Sequence, residues 1–408
     1  MSAKTKNEML FSEFPLPEYH QRYERLIAYG KDQNIDAFIF TDEENLRYFA
    51  GGPLTDAFLF RPDYMAVIIP TNREKAPRFV LSRTKINSVH SSWIKDRYFW
   101  GDVGIESAGD ITVEAMVSSI RDLALERGTI AMEISGNEKL FMSASTYDDI
   151  RKQLPEMNIV SCFSAVSTVR GVKSSLEIEY IREACRITTE AIEHGFSITR
   201  AGVTEKDISR AIKSKMYELG ADDVPFLAVL GGLEGRGICW DSYATDYAIK
   251  PGDPIQVDGG CSVKGYLSDM VRTASLGPIK NSRYLELYDA TLRAHYAVRD
   301  LLRPGAVIHD ICEAGRMSIV NDGYEDLLLF GTGQTGHGFG VGIHEEPFLV
   351  PSSQKVLEPG MVLAIEPPIM EYADLERATY FTILENNYLI TETGYEQLTN
   401  SPNEIRVI

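Results

Sequence analysis

Long apolar runs are missing from this sequence. No stretch of about 18 consecutive apolar residues, the length of a transmembrane helix, occurs in the 408 residues. The first residues, Met1 to Phe14, also lack the apolar core of a secretory signal peptide. These absences argue against a membrane-spanning protein, and we expect a cytoplasmic protein with no membrane partner.

Positive charge and cysteine are also scarce. The chain has 41 lysines and arginines against 59 aspartates and glutamates, which gives a net charge of −18. Because such a chain supplies no counter-charge to a phosphate backbone, we expect no nucleic-acid partner. The five cysteines are odd in number and form no CxxC pair, which favours a reducing compartment over a disulfide framework.

Two patterns of secondary structure divide the chain. Residues 1–165 alternate helix-like segments with the short β-rich runs IDAFIFT, YMAVIIPT, PRFVLSR, TIAMEIS and NIVSCFS, which predicts a small α/β domain. Residues 166–408 combine amphipathic helices with antiparallel hairpins, which predicts a larger α+β domain. The first of these helices begins at a capping box formed by Ser174 and Glu177.

Histidine is rare as well, but two of the seven histidines lie close together. The segment TGHGFGVGIHEEP, residues 335–347, contains His337 and His344. Glycines alternate with larger residues between positions 336 and 342, so the backbone can run extended and pass close to another group. Taken alone, the segment fits a glycine-rich loop with incidental histidines equally well, so its meaning depends on the rest of the chain.

Two aspartates converge in the segment PIQVDGGCSVKGYLSDMVRT. If this hairpin turns at 264–265, Asp258 opposes Val271, and Asp269 lies two positions along on the same face. Such diagonal neighbours lie about 7 Å apart at Cα, close enough to share a cation. Two carboxylates beside an apolar strand are costly without a positive partner, although two solvated acids at a hairpin end are the simpler alternative.

Two glutamates occur in similar surroundings. Glu366 is in line with Val362 and Ala364 at the end of the apolar segment LEPGMVLAIEPPI, and Glu385 is in the middle of the strand-like TYFTILENNYLITETG. Each alone fits a solvent-facing glutamate. Together with the two aspartates and His337 they form a set of four carboxylates and one imidazole, which suits Mn, Fe, Co or Zn in a paired site.

These segments resemble the pita-bread metallopeptidases, the family of methionine aminopeptidase, aminopeptidase P, prolidase and the hydrolase creatinase. The likeness is strongest to prolidase and aminopeptidase P, through VDGGCSVKGYLSDMVRT, GHGFGVGIHEEP, LEPGMVLAIEPPI and ENNYLITETGYEQLT. ENLRYFAGG resembles a motif of the family's amino-terminal domain, and VKSSLEIEYIREACRIT resembles the opening helix of its catalytic domain. The resemblance implies a pita-bread domain over 166–408, a creatinase-type α/β domain over 1–165, and a homodimer.

The resemblance also implies a function for each residue of the set. The positions that match the family's ligands for two divalent ions, which would be Mn, Co, Zn or Fe, are Asp258, Asp269, His337, Glu366 and Glu385. Glu366 would also act as general base toward a metal-bridged water, the nucleophile that cleaves an amide bond. His344 matches a second histidine, which donates a hydrogen bond to the substrate or to the developing oxyanion.

The sequence departs from the family around the substrate rather than at the metals. Asp241, preceded by Trp240, stands seventeen residues before Asp258, where relatives place a histidine that contacts the substrate. Ile383 replaces the arginine of the usual Arg-Ile-Glu, and the segment that leads from Glu366 toward it is longer than in a typical prolidase. These differences bear on the substrate far more than on hydrolytic chemistry.

Arg61 is a further candidate for substrate binding. It lies in FLFRPDYMAVII, near the point where creatinase-like dimers reach into the partner's active site. Arginine is suited to bidentate capture of a carboxylate. A solvated loop arginine is the alternative.

Three functions are compatible with these observations. The first is a dinuclear metallohydrolase that cleaves an amide bond in a small peptide, as Xaa-Pro aminopeptidase and prolidase do. The second is a creatinase-like hydrolase or lyase that acts on a small non-peptide molecule, including a cationic one. The third is a catalytically inactive binding module, against which the complete ligand set weighs, because an unused cluster of carboxylates is an electrostatic liability.

We predict that Asp241 selects the substrate. An ionised carboxylate cannot donate a hydrogen bond to a peptide carbonyl, but it attracts a positive group, as does the ring face of Trp240. We therefore expect weak turnover of ordinary Xaa-Pro dipeptides and better turnover of a small substrate with a positive group near the scissile bond. Asp241→His should shift the preference toward Xaa-Pro dipeptides, and Asp241→Asn should weaken cationic substrates. Parallel changes in kcat/KM for both substrate classes would mean that Asp241 only caps a turn.

Overall fold

A computed structural model describes residues 13–51, 65–101, 108–232, 242–328, 331–374 and 377–408. The chain divides into two units, Met1–Val169 and Arg170–Ile408. Within the described ranges, no helix is both long and apolar enough to cross a membrane.

The first unit is built on a mixed six-stranded sheet. In spatial order its strands are β4 (Asp96–Trp100), β3 (Arg78–Ser82), β2 (Met65–Pro70), β1 (Ala37–Phe40), β5 (Thr129–Met132) and β6 (Asn158–Ser161). β2 is antiparallel to β1 and β3, and the remaining pairs are parallel. The five strands predicted from sequence are confirmed. The sequence does not predict β4, because this edge strand is mostly half-buried and has a weak apolar pattern.

Helices cover this sheet. They are α1 (Leu16–Asp32), the short α2 (Glu43–Asn45) with a π-helical turn at Leu46–Ala50, a 3-10 helix at Arg83–Val89, α3 (Ala108–Asp122), α4 (Ala144–Gln153) and α5 (Phe163–Gly171). Met116 and Ile120 of α3 belong to one buried apolar cluster with Ile39, Ile68 and Ile130 of the sheet. An amphipathic helix thus buries its apolar face against β-branched side chains, as expected for an α/β unit.

In the part of the second unit that the structure describes, the strands form three antiparallel or mixed sheets. The first sheet has the order β18 (Arg406–Val407), β10 (Met270–Ser275), β8 (Pro254–Val263) and β7 (Asp223–Gly231), with β9 (Tyr266–Leu267) paired to β8. The second has the order β12 (Glu345–Leu349), β11 (Gly336–Gly338), β13 (Val362–Ile365), β16 (Asn386–Ile390) and β17 (Tyr395–Gln397). The third is the hairpin of β14 (Ile369–Asp374) and β15 (Arg377–Thr382).

Four long helices accompany these sheets. They are α6 (Ser175–Ser197), α7 (Glu205–Glu218), α8 (Ser282–Arg299) and α9 (Ile308–Asn321), with a 3-10 turn at Glu325–Leu327. The predicted capping box of Ser174 and Glu177 is present at the start of α6. Ile187 and Ile192 of α6 share an apolar cluster with Val257 of β8, so the helix is held against the first sheet.

The hairpin of β8 with β9 and β10 has the register predicted from the sequence. Asp258 pairs with Val271. The turn residues Lys264 and Gly265 have φ values of 49° and 78°, and two left-handed residues in succession match the twist of a tight hairpin. Asp258 and the residue that precedes β10, Asp269, therefore lie at the same end of this sheet.

Gly260 allows a close backbone approach within this hairpin. A Cβ atom at Gly260 would lie 1.8 Å from the carbonyl oxygen of Ser268. We predict that Gly260→Ala lowers the free energy of unfolding by about 1–3 kcal/mol, because β8 must shift to admit the methyl group. Urea unfolding measures this change. Gly394→Ala is the matched control, since nothing lies within 4 Å of its added Cβ; equal midpoints for the two variants would contradict the prediction.

Candidate metal centre

The hairpin of the first sheet supplies two buried aspartates. Asp258 lies inside β8, and Asp269 directly precedes β10. Both are almost completely buried, with exposures of 6% and 4%. The diagonal placement predicted for these residues follows from the observed register of Asp258 with Val271.

The second sheet supplies an imidazole and two glutamates. His337 lies in β11 and pairs with Ala364 of β13, Glu366 directly follows β13, and Glu385 directly precedes β16. Because β13 pairs with both β11 and β16, the three candidate ligands lie in or next to adjacent strands. An added Cβ at Gly336 would lie 2.0 Å from the carbonyl oxygen of Ala364, so glycine allows β11 to pass close to β13.

The position of Glu385 differs from the sequence-based expectation. Glu385 was expected within one continuous strand, but β15 ends at Thr382 and β16 begins at Asn386. The chain changes sheets here, because β15 pairs with β14 whereas β16 pairs with β13. Glu385 thus lies at a junction between strands, where its backbone N–H donates to the carbonyl oxygen of Val271 at 3.4 Å.

These five side chains converge on one point. His337 Nε2 lies 3.5 Å from Glu366 Oε1, 3.7 Å from Asp269 Oδ2 and 3.9 Å from Glu385 Oε1. One carboxylate oxygen from each of Asp258, Asp269 and Glu385 lies within 4.8 Å of the other two. Glu366 is the most accessible of these side chains, with an exposure of 21%.

The surroundings of these carboxylates disfavour their ionised forms. Burial raises the pKa of Asp258 to about 7, and burial together with Asp258 raises the pKa of Glu366 to about 8. Burial and the neighbouring carboxylates raise the pKa values of Asp269 and Glu385 well above their ordinary range. Each shift means that the ionised form lacks enough positive charge around it.

The orientation of His337 directs a lone pair at the carboxylates. Its Nδ1 lies 3.0 Å from the carbonyl oxygen of Gly338, and a carbonyl only accepts, so Nδ1 carries the proton and Nε2 does not. Burial and His344 lower the pKa of His337 to about 3. The imidazole is therefore neutral, as a metal ligand must be.

The set fits a divalent metal. Glu385 Oε1 is buried and has no hydrogen-bond partner among the residues that the structure describes, an arrangement that is costly unless a cation completes it. Four carboxylates and one neutral imidazole suit Mn, Fe, Co or Zn. The same cation would offset the mutual repulsion of the carboxylates.

His344 lies at the exposed side of this set. It is exposed, on the loop between β11 and β12. Its ring centroid is 4.3 Å from that of His337, in an edge-to-face arrangement. One of its ring nitrogens lies within 4.8 Å of ligand atoms of Asp269 and His337, so it can reach a molecule bound beside the carboxylates.

Two residues missed by the sequence analysis join the strands that carry the carboxylates. Asn387 Nδ2 donates to the carbonyl oxygen of Asp269 at 2.5 Å, and the backbone N–H of Asp269 donates to Asn387 Oδ1 at 3.1 Å. Arg272 Nη1 donates to the carbonyl oxygens of Val271 at 2.8 Å and Glu385 at 2.6 Å. The only signal in the sequence is a charged or amide residue inside an apolar strand, which does not reveal its partner.

The candidate substrate residues are only partly covered by the structure. Asp241, Trp240 and Arg61 lie outside the described residues. Ile383, the position where the resemblance leads us to expect an arginine, is fully buried in an apolar cluster with Val271 and Phe381. Its side chain therefore contributes packing between β10 and β15 rather than charge.

Known proteins match both units. Residues 179–392 match metallopeptidase family M24, and residues 22–172 match the creatinase/prolidase N-terminal domain. An uncharacterized peptidase of Bacillus subtilis, YqhT, is 29% identical over 324 residues, which cover 79% of this chain and 89% of the relative. An Xaa-Pro dipeptidase of Pyrococcus furiosus is 24% identical over 387 residues, covering 94% of this chain and 99% of the relative.

A solved structure supports the same assignment. The structure of an Xaa-Pro dipeptidase from Bacillus anthracis superposes with a TM-score of 0.77 and 25% identity, covering 96% of this chain and 100% of that one. The family match spans more than half of the chain, and the resemblance and fold class predicted from the sequence are confirmed. The chain therefore belongs to metallopeptidase family M24, and is a metallopeptidase with a pita-bread domain preceded by a creatinase/prolidase-type domain.

Proposed function

We propose that this metallopeptidase uses two divalent metal ions to hydrolyse the amide bond of a small peptide, with Xaa-Pro dipeptides as the reference substrate. The observation that carries the proposal is the convergence of His337 with three buried carboxylates and the half-buried Glu366. Two similar proteins, from Pyrococcus furiosus and Bacillus anthracis, are named Xaa-Pro dipeptidases. Asp241 and Ile383 favour a second candidate, a small cationic non-peptide substrate, because they remove a histidine and an arginine that relatives offer to a peptide.

The residues that would hold the ions are Asp258, Asp269, His337, Glu366 and Glu385. Bound divalent ions, for which Mn, Co, Zn and Fe suit the donors, would polarise the scissile carbonyl and lower the pKa of the attacking water. Glu366 is the best placed to exchange protons with substrate, because its side chain is the most accessible of the five. It would take a proton from the attacking water and deliver it to the leaving amine.

His344 would stabilise negative charge on the substrate oxygen. It is exposed beside the carboxylates, and its ring lies edge-to-face with that of His337. A ring N–H at this position can donate to the carbonyl oxygen as charge develops, which is the function of an oxyanion hole. The same geometry suits a C–N bond in a non-peptide substrate.

We also infer a cytoplasmic homodimer. The negative net charge and the four free cysteines of the described residues support a soluble protein of a reducing compartment. The dimer rests on the family resemblance alone.

The metal centre is tested by its stoichiometry. We expect about two divalent ions per chain in reconstituted protein, and loss of tight binding at one or both sites in Asp258→Ala and Glu385→Ala, because each removes a buried oxygen donor. Elemental analysis and calorimetric titration with Mn²⁺ measure both quantities. Glu392→Ala, which removes an exposed glutamate just after β16, the strand that Glu385 precedes, is the matched control. Wild-type metal content in Glu385→Ala would refute the assignment, and absence of metal from all proteins would favour a binding module.

The function of His344 is tested by turnover. His344→Ala should lower kcat by about 10²–10³-fold, the usual loss for one oxyanion donor, and should leave the metal content unchanged because His337 is the ligand. His20→Ala is the control: it removes an exposed histidine of the first unit and should change neither kcat nor metal content. Loss of metal in His344→Ala would mean that the functions of the two histidines have been exchanged.

A further inference from the structure

The residue that follows exposed His344 is a buried glutamate with two cationic partners. Glu345 is 8% exposed and forms ion pairs with Arg170 and Lys173. Lys173 Nζ lies 3.3 Å from Glu345 Oε2, and an Arg170 Nη atom contacts Glu345 Oε1. All three side chains are buried, whereas most ion pairs lie at the surface. This cluster, Arg170, Lys173 and Glu345, is separate from the five candidate metal ligands.

The backbone next to Arg170 and Lys173 is joined to the segment that leads to β13. Arg170 is in the last turn of α5, and Lys173 precedes α6. The backbone N–H of Lys173 donates to the carbonyl oxygen of Gly360 at 2.9 Å, and Val172 forms a β-bridge with Met361. Since Met361 directly precedes β13, the two cations have a fixed position relative to the strand that presents Glu366.

Glu345 also holds the loop that carries His344. The backbone N–H of Gly342 donates to Glu345 Oε1 at 2.7 Å, and the N–H of Gly340 donates to the carbonyl oxygen of Gly342 at 3.0 Å. A methyl group at Gly340 would lie 3.0 Å from Lys173 Cε, so the loop packs directly on this lysine. The N–H of Leu267, two residues before Asp269, donates to the carbonyl oxygen of Gly340 at 2.8 Å. The loop is therefore also joined to the segment that carries Asp269.

The ion pairs are strong enough to keep Glu345 charged. Burial raises the pKa of Glu345, but Arg170 and Lys173 outweigh burial and lower it to about 2. Removing the charge from such a cluster leaves two buried cations without their carboxylate, which is strongly unfavourable. The loop conformation therefore depends on an ionised carboxylate adjacent to His344.

We propose that Glu345, held by Arg170 and Lys173, is a positioning residue that fixes the loop of His344 in the orientation needed to stabilise the oxyanion. The inference rests on the proposed function of His344. His344 directly precedes Glu345, and Glu345 accepts the N–H of Gly342 on the other side of His344. The anchor therefore fixes the backbone from which the His344 ring extends beside that of His337. The cluster acts through His344 and contributes no ligand to the metals.

The test compares two adjacent glutamates. Glu345→Gln keeps the size of the side chain and an acceptor for the Gly342 N–H but removes the charge, and should lower kcat by about 10–100-fold, the scale of a small misplacement. KM and metal content should change little. Glu346→Gln is the matched control, because Glu346 pairs instead with Lys355, whose side chain is 53% exposed, and it should leave kcat unchanged.

A double-mutant cycle separates positioning from an independent effect. If Glu345 acts through His344, the double variant of Glu345→Gln with His344→Ala should be no slower than His344→Ala alone. Multiplicative losses would overturn the proposal, as would loss of metal from Glu345→Gln. If Glu345→Gln does not fold, Lys173→Met provides the same cycle with the Arg170 pair retained, and Lys173→Arg should restore most of its kcat; equal kcat in these two variants would also overturn it.

A readout without catalysis distinguishes failure of this inference from failure of the proposed function. The ¹³Cε1–¹Hε1 resonance of His344, assigned by its disappearance in His344→Ala, should shift or broaden in Glu345→Gln but not in Glu346→Gln. An unchanged resonance would overturn the positioning proposal whatever the activities are. A shifted resonance with full kcat in His344→Ala would retain the loop anchor and reject the oxyanion function of His344.

Discussion

The mutual repulsion of three buried carboxylates and the half-buried Glu366 is the constraint on which the site depends. Asp258, Asp269, Glu366 and Glu385 meet around one neutral imidazole, and burial raises the pKa of every one of them. Such an arrangement is unfavourable unless the fold holds it together and a cation offsets the charge. The two sheets of the second unit therefore have to maintain positions that the side chains by themselves oppose.

Hydrogen bonds to backbone groups, rather than to the carboxylates themselves, hold these residues in place. Asn387 makes hydrogen bonds with both peptide groups of Asp269, and Arg272 joins the carbonyl oxygens of Val271 and Glu385. Burial lowers the pKa of Arg272 only to about 10, so at neutral pH it remains a cation behind the acidic cluster. Glu385 Oε1 is not used in this bracing, which leaves it available to a metal.

His337 and His344 differ in burial, and this difference matches the functions that we propose for them, metal ligand for His337 and hydrogen-bond donor to the substrate for His344. His337 is buried, and its hydrogen bond to the Gly338 carbonyl directs Nε2 toward the carboxylates. His344 is exposed beside it, where a substrate can reach it. Glu345, the buried residue that we propose as the anchor of this loop, directly follows His344 in the chain.

Local patterns in the sequence determined five of the six strands described in the first unit, the capping box of α6 and the register of Asp258 with Val271, because period-two alternation and turn chemistry act over a few residues. The motifs also identified the five converging side chains, and the resemblance implied the functions proposed for them. Only the tertiary structure decided that Glu385 lies at a junction between sheets, that Asn387 forms hydrogen bonds with the backbone of Asp269 and that Glu345 forms an ion pair with Arg170. These contacts join residues 118 and 175 positions apart, and no local pattern specifies which distant polar groups will be buried together.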